Sequence, residues 1–187
     1  MSLQETVYIK FFSGVDGNSI NALMNIIDKE IEKGTKKIVL LISSPGGTVF
    51  HGISMYNYLT GIPIEVETHN FGSVDSIGVV IYLAGTKRYS VPDARFLIHA
   101  VQANFSGNLS LEEKQLEERL KGLQIDIRNI AGIIAKGTTK TREEIIDNMH
   151  NRVTLNPEEA KEYKLVHEIK SELFPIGARV ISINTSY

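Results

Sequence analysis

The sequence of 187 residues contains no cysteine, which excludes disulfide bonds, thiolate catalysis and cysteine-ligated metals. It also lacks an excess of charge of either sign. Its 20 basic and 22 acidic residues leave a formal net charge of −2, so nothing favours nucleic acid or an anionic membrane as a partner. No apolar run approaches the roughly 18 residues of a membrane span, and residues 1–12 do not resemble a signal peptide. We therefore expect a soluble, cytoplasmic protein.

The remaining composition is that of a globular protein, with 42% hydrophobic and 22% charged residues. We find no repeat, no low-complexity tract and no linker, and we expect one domain over residues 1–187. Strands are predicted at residues 6–12, 36–43, 64–70, 87–93 and 95–101, with helices at 17–34 and 49–59 between them. The almost wholly apolar run "KKIVLLIS" is typical of a parallel strand buried on both faces. This alternation predicts an α/β fold with right-handed crossovers.

The second half of the chain begins with a long predicted helix, roughly residues 110–136. Its first half is too polar for the interior of one domain, and its second half is too apolar to be left in water. We expect it to project from the body and to pack on another subunit. The predicted intersubunit stripe consists of Leu116, Leu120, Leu123, Ile127 and Ile130. Two short helices follow, the second capped by Asn156 with Pro157 at its first position, and closing strands are predicted at 165–170 and 178–184.

The motif "SPGG" follows a predicted buried strand, at the end where α/β folds place their ligand sites. Gly47 has no side chain, so its backbone N–H can approach a ligand closely. The alternative interpretation is a tight turn without a functional role.

Ser76 lies at a second strand-to-helix turn, where free N–H groups and the helix dipole favour a developing negative charge. It is a candidate nucleophile, and the N–H of Ile77 is a candidate oxyanion donor. The alternative is a plain helix cap. His99 ends the apolar run "RFLIHAV" 23 residues later and is a candidate general base, which a serine nucleophile requires.

Four segments occur in order: "SSPGG", "GSVDSIG", "YSVPDARFLIHA" and "NPEEAKEYKLV". Together they resemble the proteolytic subunit of the Clp protease family, barrel-forming serine peptidases of the crotonase-like superfamily, from about Val7 to Ile169. The resemblance implies an α/β fold of repeated β-β-α units with a protruding "handle" helix, which matches the long helix above. It further implies an endopeptidase that cleaves peptides or unfolded proteins through an acyl-enzyme, inside a ring or double ring of identical chains. No cofactor and no metal is implied.

The resemblance also assigns roles to individual residues. Ser76 takes the place of the nucleophile and His99 that of the general base. Gly47 and Ile77 match the residues whose N–H groups form the oxyanion hole.

The family's third catalytic residue, an aspartate, has no direct counterpart in "DNMHNRVTL". An ungapped reading places Arg152 there, which cannot orient an imidazole. A shift of one residue gives Asn151, which can accept a hydrogen bond from the histidine, as asparagine does in papain-type triads. Asp147 and His150 are further candidates. We predict Asn151.

Two other departures from the family concern the site and its partners. Asp75 stands where the family has a small residue, which adds a carboxylate near the nucleophile. The chain also begins almost at its first strand, so the N-terminal helix and axial loops that help the family's barrels meet an AAA+ unfoldase are short or absent. This speaks against such an ATPase partner.

Three alternatives remain. In a serine–lysine dyad, as in related signal-peptide peptidases, Lys114 would be the base, but the carboxylates of "EEKQLEE" would keep it charged. The missing aspartate favours a catalytically weak or inactive structural subunit, since loss of the third residue can cost roughly four orders of magnitude in rate. Acyl-CoA-handling crotonases share the fold, but His99 speaks against them.

Overall fold

The computed structural model describes residues 5–103, 107 and 110–183. Its strands are β1 (Thr6–Phe12), β2 (Lys37–Ser44), β3 (Glu65–Asp75), β4 (Lys87–Ser90), β5 (Arg95–Ile98), β6 (Val153–Leu155), β7 (Glu168–Ile169) and β8 (Arg179–Ser182). Its helices are α1 (Gly17–Glu32), α2 (Val49–Gly61), α3 (Ile77–Tyr82), α4 (Glu113–Gly137), α5 (Arg142–Asn151) and α6 (Pro157–Glu162).

The strands form one eight-stranded sheet with the order β6-β5-β3-β2-β1-β8, while β4 pairs with β3 and β7. All the pairs are parallel except β5 with β6. β2 is central and almost entirely buried, which explains its continuous apolar sequence. The predicted α/β class is confirmed.

β3 changes its neighbour along its length. Residues Glu67–Asn70 pair with β4, whereas Ser73–Asp75 pair with β5. The register between β2 and β3 shifts between Ile42 and Ser44, at the level of this change. β3 is therefore longer than predicted, because it continues through residues 71–75 to the turn before α3.

α3 follows β3 directly, and all its residues are buried. Gly52 of α2 lies against Ile77, and an added Cβ at Gly52 would collide with the Ile77 side chain. The close approach of the two helices therefore depends on a glycine at this position.

The long predicted helix is confirmed as α4, beginning at Glu113. Leu116 and Leu120 in its first half are 50% and 56% exposed. Ile130 and Ile134 in its second half are buried, and this half packs on α3 and α5. The prediction that Ile130 lies between subunits is therefore wrong, because it belongs to the core of its own chain.

The C-terminal elements agree with the sequence in part. Asn156 caps α6 by accepting a hydrogen bond from the N–H of Glu159, as predicted. β6, which the sequence did not predict, pairs antiparallel with β5. Residue 184 of the last predicted strand lies outside the described residues. Within the described ranges, no helix is long and apolar enough to cross a membrane.

Candidate active site

Ser76 occupies the sharp turn between β3 and α3 in a backbone conformation that serine rarely adopts. Its φ and ψ are 58° and −129°, and its N–H donates to the carbonyl of Leu97 over 2.7 Å. Such a conformation costs about 1–3 kcal/mol and persists only where the surrounding structure holds it. Ser76 is the N-cap residue of α3, but its hydroxyl makes no capping hydrogen bond to that helix.

The loop after β2 approaches this turn closely. Gly46 and Gly47 have φ values of 87° and 151°, which favour glycine. An added Cβ on Gly46 would lie 2.6 Å from the Cβ of Ser76, and one on Gly47 would collide with the carbonyl of Val15. Val15 holds the loop from the other side, because its N–H donates to Gly46 and its carbonyl accepts from Thr48. The loop is therefore held directly against the Ser76 turn.

A cavity of about 250 Å³ brings four of the five predicted site residues together. Ser76, His99, Gly47 and Ile77 all line it. Its apolar wall includes Ile130 and Ile134 of α4. The N–H of Ile77 is at the first position of α3 and has no acceptor within that helix.

The orientation of His99 fixes its tautomer. Its Nδ1 lies 2.7 Å from the carbonyl oxygen of Ala100. A carbonyl can only accept, so Nδ1 carries the proton and donates it, and Nε2 is left able to take a proton. Over the described residues, no hydrogen bond joins His99 to Ser76. Catalytic hydrogen bonds are often long in unliganded sites and shorten with substrate.

The third predicted residue is not brought into the cavity. Asn151 is exposed at the end of α5, and Arg152 follows it in the left-handed conformation with φ 54°. The pairing of β5 and β6 ends at Ile98 opposite Val153, and continuing this register by one residue would set Arg152 opposite His99. Asp147 and His150 are also exposed on α5. The assignment of Asn151 stays a prediction.

Asp75 is buried directly before Ser76, but its carboxylate has its own partners. Its Oδ2 lies 2.7 Å from Nη2 of Arg95, and its Oδ1 accepts from the Ser73 hydroxyl over 2.8 Å. The sequence placed a carboxylate near the nucleophile but gave no role to Arg95. No local pattern could have found this pair, because it depends on the register of β3 and β5, in which Ser73 faces Arg95.

Lys114 lies in the first turn of α4, is exposed, and does not line the cavity. Its position gives no support to a serine–lysine dyad. Within the described ranges, no group of three or more histidine, aspartate or glutamate residues is arranged to hold a metal ion.

A larger cavity of about 810 Å³ continues from the site. It shares Gly47 and Val101 with the smaller one and extends to Arg119 and Asp126 of α4. Burial raises the pKa of the Asp126 carboxyl. This space beside the glycine loop is large enough for groups of a bound ligand.

Known proteins are similar in sequence to this chain over most of its length. The Clp protease family model matches residues 2–172. An ATP-dependent Clp protease proteolytic subunit of Deinococcus radiodurans is 32% identical over 155 residues, covering 81% of this chain and 72% of the relative. A proteolytic subunit 2 of Tropheryma whipplei is 32% identical over 158 residues, covering 83% of this chain and 84% of the relative.

A solved structure of an asparagine-to-aspartate mutant of ClpP1 from Listeria monocytogenes superposes with a TM-score of 0.79. It is 25% identical in sequence, and the match covers 90% of this chain and 92% of the other. The sequence, the fold and these relatives agree, and the chain belongs to the Clp protease family, the serine peptidases of the Clp proteolytic-subunit type.

Proposed function

We propose that Ser76 is the nucleophile of this peptidase and His99 its general base. The observation that carries the proposal is the single cavity in which Ser76, on its strained turn, meets His99, Gly47 and Ile77. His99 in its Nδ1–H tautomer accepts the Ser76 hydroxyl proton on Nε2 as the oxygen attacks the peptide carbonyl. The protonated imidazole then gives this proton to the leaving amine, and water hydrolyses the acyl-enzyme by the same steps in reverse.

The backbone N–H groups of Gly47 and Ile77 stabilise the oxyanion. Both residues border the cavity, one at the glycine loop and the other at the start of α3. Fixed N–H donors in a site that excludes water are worth about 10²–10³ in rate each. Any side chain at Gly47 would collide with Val15, so this donor depends on glycine.

For the third residue, Asn151 remains our candidate. Support comes from its chemistry, since its amide oxygen can accept the Nδ1–H of His99. It also lies one residue before Arg152, which would stand opposite His99 if the β5–β6 register continued. In the structure that N–H is held by Ala100 instead, so Asn151 has to approach His99 for this role.

The substrate we propose is a peptide or an unfolded protein. An extended chain fits the larger cavity that adjoins the Ser76 turn. We further propose that identical chains assemble through α4 into a ring or double ring, because Leu116 and Leu120 have no cover within their own chain.

A fluorophosphonate probe tests the proposed chemistry, since it labels only an activated serine. We expect one adduct, mapped to Ser76, and no adduct in Ser76→Ala. Ser54→Ala is the matched control, because Ser54 is exposed on α2 away from the cavity, and it should label like the parent. An adduct on Ser73, or an unlabelled parent protein, would contradict the assignment.

A further inference from the structure

The residue before the proposed nucleophile and a residue before the proposed base are joined by an ion pair. Asp75 is 6% exposed, and its Oδ2 lies 2.7 Å from Nη2 of Arg95. Asp75 ends β3, and Arg95 begins β5, whose chain continues to His99. The pair therefore ties together the two strands that carry the proposed catalytic side chains.

Ser73 hydrogen-bonds to both members of the ion pair, so that Ser73, Asp75 and Arg95 form a triangle. Its hydroxyl donates to Oδ1 of Asp75 over 2.8 Å and accepts from Nε of Arg95 over 3.1 Å. Ser73 and Arg95 face each other in the register of β3 and β5, and Asp75 lies two residues further along β3. All three contacts are thus on one face of this strand pair, which fixes the guanidinium in one orientation.

The triangle lies behind the catalytic turn. Ser73, Asp75 and Arg95 line a cavity of about 360 Å³ that shares Pro45 with the active-site cavity. The core side of the strands is occupied by Val74, which is fully buried. No substrate atom in the active-site cavity needs to touch the pair, so its action has to pass through the backbone of Ser76.

We propose that Asp75 and Arg95 are positioning residues, an ionic clasp that holds Ser76 in its strained conformation at a fixed distance from His99. This inference rests on the proposed function. The turn is also held by the hydrogen bond from the Ser76 N–H to Leu97 on β5 and by the one from the Val79 N–H to the Ser76 carbonyl. If the clasp is opened, the turn can relax towards ordinary backbone angles, and the Ser76 oxygen moves away from the imidazole.

The test compares Asp75→Asn and Arg95→Lys with the parent in hydrolysis of a short peptide ester and in the rate of fluorophosphonate labelling. Asparagine keeps the shape but not the charge, and lysine keeps the charge but not the two-point contact. Displacements of about 1 Å at a reacting group cost about 100-fold, so we expect kcat and the labelling rate to fall about 10-fold to 100-fold. KM should change little, because the clasp does not touch substrate.

The matched control is Glu30→Gln. Glu30 is 1% exposed and pairs over 2.8 Å with Arg179, a half-exposed arginine, but this pair joins α1 to β8. Glu30→Gln should lower the thermal midpoint and leave kcat unchanged. The double variant Asp75→Asn/Arg95→Lys should be no slower than the slower single variant, since both changes open one clasp.

The outcomes separate this inference from the proposed function. If the parent is labelled at Ser76 while either folded single variant keeps kcat within about twofold of the parent, the clasp proposal is wrong and the function stands. If Asp75→Asn does not fold, Arg95→Lys decides alone, because Arg95 is half exposed and tolerates the change. A parent without labelling at Ser76 overturns the function itself.

Discussion

At the scale of single residues, Ser76 shows how a sequence can indicate chemistry that a local pattern leaves ambiguous. An isolated serine before an apolar helix is usually a cap. Here the hydroxyl does not cap α3, and Ser76 has a φ of 58°. The turn lies against the glycine loop, where an added Cβ on Gly46 would meet the Ser76 side chain. The glycines of "SPGG" were the second signal, and their positive φ values explain why they are glycines. The spatial pairing of Ser76 and His99 could be predicted only from the resemblance, since 23 residues separate them.

The third catalytic residue is a prediction at this scale. Asn151→Ala should remove most of the activity, while Asn151→Asp should preserve or raise it, because a carboxylate also stabilises the imidazolium. Arg152→Ala should matter less to the chemistry, since a guanidinium has no acceptor for the ring N–H. The measurement is kcat on a small peptide ester.

Other outcomes would reassign the role. An active Asn151→Ala together with an inactive Asp147→Ala would make Asp147 the third residue. Because the β5–β6 register, continued by one residue, would set Arg152 opposite His99, Arg152→Asp provides a further comparison. A higher kcat in Arg152→Asp than in Asn151→Asp would show that the ungapped position is the one that reaches the imidazole.

His69 carries a prediction about acid stability. It is fully buried on β3, its Nδ1 has no hydrogen-bond partner within the described residues, and burial lowers its pKa from 6.5 to about 4. Between pH 6.5 and about 4, His69 is therefore protonated in the unfolded chain and neutral in the folded chain. We expect stability to fall as the pH drops from about 6.5 to about 4, by about 3 kcal/mol in total.

Thermal midpoints measured across this pH range check the prediction. In His69→Gln the slope should become shallower, because the variant removes the titrating ring. His167, whose pKa burial also lowers, should leave a smaller slope of the same sign. An unchanged slope in His69→Gln would assign the acid sensitivity to other groups.

At the scale of elements, the accuracy of sequence-based prediction followed burial. β2 was found within a residue because a parallel strand buried on both faces is a continuous apolar run. β1 was found although its residues alternate between buried and more exposed, because it is rich in β-branched and aromatic residues that favour strands. β6 was missed because it has three residues, too few to show the alternation of apolar and polar residues that predicts a strand. It pairs with the edge of β5 that β3 does not occupy. The Asp75–Arg95 pair was missed for another reason, since it depends on the register of two strands and not on any local pattern.

α4 was predicted with its correct length but with part of its contacts misassigned. A single apolar stripe was expected to face another subunit along its whole length. In the structure the stripe divides, and Ile130 packs in the core while Leu116 and Leu120 stay exposed. The spacing of apolar residues in the sequence shows which of them lie on the same face of a helix. It does not show at which residue along that face the contacts with the chain's own core end.

The exposed half of α4 gives a prediction about assembly. Leu120→Glu should convert a ring or double ring into smaller species, because a charge would then be buried at the contact. Lys114→Glu is the control, since Lys114 is on the opposite side of the helix from Leu116 and should leave the assembly intact. Light scattering at micromolar concentration distinguishes the two. A parent chain that is already a stable monomer would contradict the assembly.

At the scale of the whole molecule, the fold places the candidate active site at one edge of the sheet, beside the starts of α2 and α3 and the buried half of α4. The glycine loop ends β2, the Ser76 turn ends β3, His99 follows β5, and the buried half of α4 forms the wall. Neighbouring parallel strands end at the same edge of a sheet, so residues far apart in sequence converge there. This convergence is the part of the site that composition and local pattern cannot supply.

The divided pairing of β3 has a mechanical consequence. Its first half is tied to β4, its second half to β5, and residues 71 and 72 belong to neither pairing. Loss of the pairing with β4 would leave the pairing between β3 and β5 beside the Ser76 turn intact, although the Tyr82 hydroxyl of α3 also donates to the Tyr89 carbonyl of β4. Local opening around β4, measured as amide hydrogen exchange, can therefore occur while the β3–β5 pairing persists.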